Sequence, residues 1–290
     1  MDEIETFKRR YLNTLSEVNS FANSWPIWLP IIVDRLTQKP TGTEIFNLGD
    51  HLSDTFQGNV VKGRSQSTLS GGGAAWECLV TWYLNFIFWG TPIIVARNNK
   101  KFIPSAISNC ITVTIANNST NTESDILIFS LPQTLHPPFE NLEGLNQLLA
   151  SRLSEIDLTI VQCKTNWNDN SQIPMLWDLI YNSESRLTHV SVGIEGVSPS
   201  SLRQFKYAFA TVPTNKRNKL KSTSIHVSRV KNLTGGNYWG HESKPEIASS
   251  IKELPTRSFP SFFQGGVIHH IDLQLKKNPD ILQEFLNLEW

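Results

Sequence analysis

Three short apolar runs constrain this chain most: Ile93-Ile94-Val95-Ala96, Ile126-Leu127-Ile128-Phe129 and Leu158-Thr159-Ile160-Val161. Their length and their turn or polar flanks read as buried strands. A longer apolar stretch, Ala74 to Trp89, follows Gly71-Gly72-Gly73 and is stopped by Gly90-Thr91-Pro92, which predicts a buried helix. Residues 2–20 put Phe7, Tyr11, Leu15 and Val18 near one helical face, and Ser24-Trp25-Pro26 with Leu29-Pro30 are expected to end that helix. Residues 37–70 are polar and read as loop. Leu142 to Leu153, Asn170 to Tyr181 and residues 279–288 read as helices, the second packing Ile173, Leu176, Trp177 and Ile180. Further strands are expected at Ile111–Ile115, Val190–Ile194, Phe205–Val212, Ser224–Val230 and Ile268-His269-His270-Ile271. Strands and helices mix without strict alternation, so the expected class is α/β, a central mixed β-sheet flanked by helices.

A chain of 290 residues can bury a sizeable core, and nothing in it reads as a clean linker. Its net charge is zero, but the charge is segregated. Gly196 to His241 contains no Asp or Glu, yet it holds Arg203, Lys206, Lys216, Arg217, Lys219, Lys221, Arg229 and Lys231. Cys78 to Thr122 is also free of acids and carries Arg97, Lys100 and Lys101. Basic stretches in a neutral chain point to a local polyanion-binding surface, with a solvated basic face as the plain alternative. Asn237, in a Gly- and Asn-rich segment after the longer stretch, adds a side chain able to read adenine edges. Cys78, Cys110 and Cys163 are odd in number and widely spaced, which argues against a disulfide framework or structural zinc site. With an acidic first segment and no apolar run long enough to span a bilayer, the expectation is a cytoplasmic protein with no membrane partner.

The third apolar run ends in Gln162-Cys163-Lys164. Strand alternation sends Gln162 and Lys164 to one side, an arrangement that is costly at the end of a buried strand unless it serves something. The run before it opens with Glu123-Ser124-Asp125. An acid at the mouth of one strand and Gln-x-Lys at the end of the next resembles the active site of the PD-(D/E)XK nucleases. Here Ser124 stands at the family's proline and Gln162 at its usual carboxylate.

The resemblance, carried by residues 70–181, implies a type II restriction endonuclease with a restriction-endonuclease-like fold and catalytic residues Asp125, Gln162, Lys164 and Glu77. Mg2+, a hard cation, would be held by Asp125, Glu77, the Gln162 amide oxygen and the Cys163 backbone carbonyl. Glu77 enters because such nucleases often carry a glutamate on the helix before the active-site strands; the plain reading is an acid at a helix N-terminus. Lys164 would orient water or steady charge on the phosphorus. The resemblance also implies one nuclease domain over 1–290, with a helical and loop part at 1–69, a catalytic core at 70–181 and a DNA-recognition part at 182–290. It implies double-stranded DNA as substrate, a homodimer and a cognate DNA methyltransferase. DNA contacts are expected from Arg203, Lys216, Arg217, Lys219, Lys221, Arg229, Lys231 and Asn237. Two other readings stay open: a catalytically decayed DNA-binding protein on the same fold, and a repair or mobile-element nuclease with little sequence preference.

Overall fold

The computed structural model describes residues 3–58, 72–120, 124–132, 141–165, 172–182, 189–212, 220–230 and 236–288. Helices α1 (Glu3–Asn13), α2 (Asn19–Val33), α3 (Gly42–Asn47) and α4 (Leu52–Gln57) precede the long α5 (Gly72–Ile87). Strand β1 (Ile93–Arg97), helix α6 (Ser105–Ile111), the hairpin β2 (Val113–Ile115) and β3 (Asn118–Thr120), and β4 (Ile126–Ser130) follow. Next come α7 (Leu142–Ala150), β5 (Asp157–Lys164), α8 (Gln172–Asn182), β6 (Val190–Val192) and β7 (Gln204–Thr211). The described chain closes through α9 (Ile225–Val230), β8 (Asn237–Trp239), β9 (Ser249–Ser250), α10 (Leu254–Ser258), α11 (Val267–Lys277) and α12 (Ile281–Leu286).

Six strands form one mixed sheet in the order β1-β4-β5-β7-β8-β9, and β3-β2-β6 form a smaller one. The first three strands of the large sheet are antiparallel neighbours, while β5, β7, β8 and β9 run parallel. The α/β class and the mixed sheet flanked by helices are therefore as expected. The strands of the expected recognition part, β7 to β9, belong to the same sheet as β5.

Helix α5 organises one face. Every residue from Cys78 to Ile87 is buried, which suits a helix apolar on all sides. Asn85 ties it to the sheet, its amide donating to Val95 O at 2.9 Å. α2 packs outside it through Trp25 and Trp82, 5.2 Å apart edge to face. The C-terminal helix packs there too, with Phe285 stacked on Phe86 and its carbonyl accepting the Trp82 indole N–H at 2.8 Å. On the opposite face α8 lays Tyr181 against Phe205 and Tyr207 of β7.

Several local expectations are corrected. The first helical region does not stop at Ser24-Trp25-Pro26: α2 runs to Val33 with Pro26 and Pro30 inside. Phe21, Trp25, Trp28 and Ile32 recur on its buried face, and that burial outweighs the roughly 3 kcal/mol of an interior proline. Residues 42–57 are helical rather than loop, because Thr41 and Glu44 form a capping box and Ile45, Leu48, Leu52 and Phe56 are buried. Ser224–Val230 is not a strand but contains α9, which buries Val227 and Val230 one turn apart. His269 and His270 lie on α11, anchored by Val267 and Ile271 at i and i+4. His270 reaches Trp89 O at 2.7 Å, a packing role. Helix α6 takes Ile111, so the strand expected there starts at Val113. In α8, Trp177 and Ile180 are buried but Leu176 is exposed.

Lys8 is a lysine buried to 1 % exposure in this core. Its ammonium donates to Phe88 O at 2.9 Å and Thr91 O at 2.7 Å just past α5, and pairs with Glu5 at 3.2 Å. The charge is held by two carbonyls just past the helix end together with Glu5. Lys8→Ala removes the buried cation that pairs with Glu5, so it is expected to lower stability by about 3–5 kcal/mol in urea titration.

Candidate functional site

One end of the large sheet gathers the C-terminal ends of β1, β5 and β7 and the N-terminal end of β4. Asp125 sits one step before β4. The antiparallel register pairs Ile126 with Val161, which sets Asp125 opposite Gln162. Asp125 Oδ2 accepts the Cys163 backbone N–H at 2.6 Å, so a carboxylate continues the ladder where strand β4 has ended. Its own carbonyl accepts the Asn98 N–H at 3.0 Å from beyond β1.

Backbone direction around Cys163 follows from two bonds. Lys164 O points to β7, accepting Val212 N–H at 3.2 Å, while Cys163 N–H points the other way, to Asp125. N–H and C=O of one strand residue share a side, so the Cys163 carbonyl opens toward Asp125.

Gln162 and Lys164 share a face, as the spacing predicts, but differ in burial. Lys164 is half-buried. Gln162 is 0 % exposed, and its Oε1 accepts the Tyr207 hydroxyl at 2.6 Å. The amide oxygen expected on a metal is thus engaged inside the sheet. Ser124 is buried and shares a 3.3 Å hydroxyl contact with Tyr181, whose hydroxyl donates to Ile111 O at 3.1 Å.

Glu77, half-buried near the start of α5, pairs with Arg97 at the end of β1, with Oε2 accepting Nη2 at 2.9 Å and Nε at 3.1 Å. The Cys163 thiol reports how close these groups lie. Burial pushes its pKa well up, the Asp125 and Glu77 carboxylates push it further, and Lys164 and Arg97 pull it down. Two acidic and two basic groups therefore act electrostatically on one buried thiol. Cys78 and Cys110 are also buried, and burial raises each thiol to about 12.

The residues fit a divalent ion in part. The Asp125 carboxylate and the Cys163 carbonyl face one another with suitable oxygen chemistry. Glu77 is held by Arg97 and Gln162 by Tyr207, and the converging charges already balance. Among the described residues no group of three or more His, Cys, Asp or Glu is arranged to hold a metal. Arg97 and Tyr207 are the site residues that sequence reasoning leaves out. Arg97 was legible as the first charge after an apolar strand, the same signal that marks Lys164.

The expected DNA-contact residues disperse. Arg203 pairs bidentately with Asp157 at 2.6 and 2.7 Å. Asp157 begins β5 and Lys164 ends it, a separation of about 23 Å along the strand. Arg203 thus marks the opposite end of the sheet. Lys221 is exposed and Arg229 half-buried around α9. Asn237 donates its amide to Ile247 O at 2.5 Å, and the Tyr238 and Trp239 beside it are fully buried in β8. Trp239 leads to Gly240, where a Cβ would come within 2.4 Å of the Trp76 ring. Lys216, Arg217, Lys219 and Lys231 lie outside the described residues. No helix among the described residues is long and apolar enough to cross a membrane.

No protein-family model matches the chain, and none of the curated proteins matches it in sequence. Function must therefore be argued from the geometry alone.

The Tyr207–Gln162 bond supplies a direct test of this arrangement. Tyr207→Phe removes one buried hydrogen bond from the Gln162 amide oxygen and is expected to cost about 0.5–1.5 kcal/mol. Chemical denaturation of the two proteins measures it; an unchanged midpoint would mean that Gln162 is held by something else.

Proposed function

We propose that the chain is a divalent-metal-dependent endonuclease acting on double-stranded DNA, with chemistry at Asp125 and Lys164. The observation that carries the reading is the Asp125 carboxylate set against the Cys163 backbone, opposite Gln162 and beside Lys164, at an end of the sheet where strand β4 stops. Glu77 on the helix preceding the strands, and α8 directly after the Gln-x-Lys strand, add to the likeness with type II restriction enzymes. Mg2+ is the cofactor this reading requires, and cytoplasmic DNA cut as a homodimer is the substrate arrangement it implies.

Asp125 and the Cys163 carbonyl are the oxygens that would hold the ion. When bound, the ion supplies Lewis acidity toward the phosphoryl oxygens and a more acidic water. The Cys163 N–H fixes one Asp125 oxygen and so orients the carboxylate. Lys164, half-buried and next to Cys163 at the end of β5, can donate to a water or to the charge that builds on the phosphate. Gln162, with its oxygen on Tyr207, is better placed to hold β5 and β7 in register at this end than to bind the ion. Glu77 becomes a ligand only where Arg97 turns away, for instance toward a phosphate.

A second reading is favoured by one observation. The Glu77–Arg97 pair and the buried Gln162 leave the site electrically balanced, as expected for a fold that binds DNA without cutting it.

Incubation of purified protein and supercoiled plasmid with Mg2+ separates the two. Cleavage that Asp125→Asn abolishes, with DNA binding retained, supports the nuclease; DNA binding without cleavage by the wild type supports the second reading. Discrete fragments rather than a smear would mark sequence preference. Lys164→Ala is expected to lower the single-turnover rate by roughly a hundredfold or more, with little change in affinity. Equal loss in both would make Lys164 a binding residue.

A further inference from the structure

A cavity of about 650 Å³ lies between α6, β3 and the start of α7, outside the groups described above. Its size is within the range that holds small organic ligands. Lys100 lines it, two residues past the Asn98 whose N–H holds the Asp125 carbonyl at 3.0 Å. Its rim residue Lys100 thus follows the segment that leaves β1 at Arg97.

Its lining has a particular chemistry. Ile103, Leu142 and Ile194 supply apolar walls, and most of the polar lining is uncharged. Two amides in it are oriented by fixed bonds. Asn109 gives its NH2 to Glu195 at 2.7 Å, which leaves its oxygen as an acceptor. Asn146 accepts the Ala106 N–H at 2.8 Å through its oxygen, which leaves its NH2 as a donor. The cavity thus offers one amide acceptor and one amide donor between apolar walls. A nucleobase edge presents that complement, a ring amine beside a ring nitrogen or carbonyl, and its faces suit the aliphatic walls. The charged lining is Lys100 and Glu143; Glu143 accepts from Gln147 at 3.2 Å along α7, while Lys100 is exposed at the rim. An ammonium at the rim of a neutral pocket suits a phosphate attached to the base.

We propose that this cavity binds one nucleotide unit flipped out of the DNA duplex, reading the base with Asn109 and Asn146 and its phosphate with Lys100. The proposal rests on the DNA reading above and deepens it. It moves sequence discrimination to Asn109 and Lys100 in the acid-free stretch between Cys78 and Thr122 and to Asn146 on α7, away from residues 196–241.

The test uses the full chain and the four deoxynucleoside 5′-monophosphates, observed by saturation-transfer NMR. Its variants are Ser108→Phe, which fills the cavity, and Lys100→Ala at the rim. Circular dichroism and urea unfolding establish that each variant is folded. The wild type is expected to bind one monophosphate about tenfold or more in preference to the poorest. Ser108→Phe should lose that binding, and Lys100→Ala should weaken it while keeping the order of preference. On a random-sequence duplex pool, the filled variant should lose base preference. A folded wild type that binds no monophosphate, or a filled variant with unchanged binding and preference, overturns the proposal. If no DNA is cut but the filled variant alone loses the monophosphate, the endonuclease reading fails and the nucleotide site stands.

Discussion

The packing around α5 is the constraint on which the rest depends. A helix buried continuously from Cys78 to Ile87 has no solvated side on which to place a charge. Its one acid, Glu77, is therefore confined to the first turns, where the helix emerges at the end of the sheet. The same packing fixes β1 beneath it, through Asn85 and Val95, and so brings Arg97 to Glu77. The position of one ion pair follows from the burial of a whole helix.

That pair sits where two other features converge. β4 begins one residue late, so the Cys163 N–H has no backbone partner there and is met by Asp125 instead. β5 continues to Lys164, supported on its other side by β7. An uneven strand end, rather than a loop, thus exposes the groups. Sites built on strands hold their geometry more rigidly than sites on loops, and a reaction that needs an oriented carboxylate benefits from that.

Much of this was legible in sequence because it depends on alternation. Asp125 is the polar residue just before one apolar strand, Gln162 and Lys164 close another, and strand parity puts these two on one face. Partners fixed by register across the sheet were not legible. Nothing near Gln162 in sequence announces Tyr207, which reaches it only because β5 and β7 run parallel with Gln162 beside Phe209. Arg203 looked available for DNA in a basic stretch, but the same register places it on Asp157. The helix misreadings share another cause. Pro26 and Pro30 carry strong local signals that lose to the burial of Trp25 and Trp28, and short runs such as Ile225–Val230 carry no period long enough to separate strand from helix.

Charge balance decides how the site can act. With Asp125, Glu77, Lys164 and Arg97 converging on Cys163, a dication gains little net attraction while Arg97 stays on Glu77. A polyanion changes that balance. Its phosphates compete with Glu77 for the guanidinium, and each Arg97 contact shifted to phosphate leaves a carboxylate uncompensated beside Asp125. On the proposed reading, a Glu77 carboxylate freed in this way would add to the negative charge of Asp125, which a divalent ion would offset. DNA and metal would then bind with positive coupling, since each would remove the partner that opposes the other, and the coupling would be equal in both directions. Arg97 is the group through which it would pass, because among the described residues it is the cation paired with the Glu77 carboxylate.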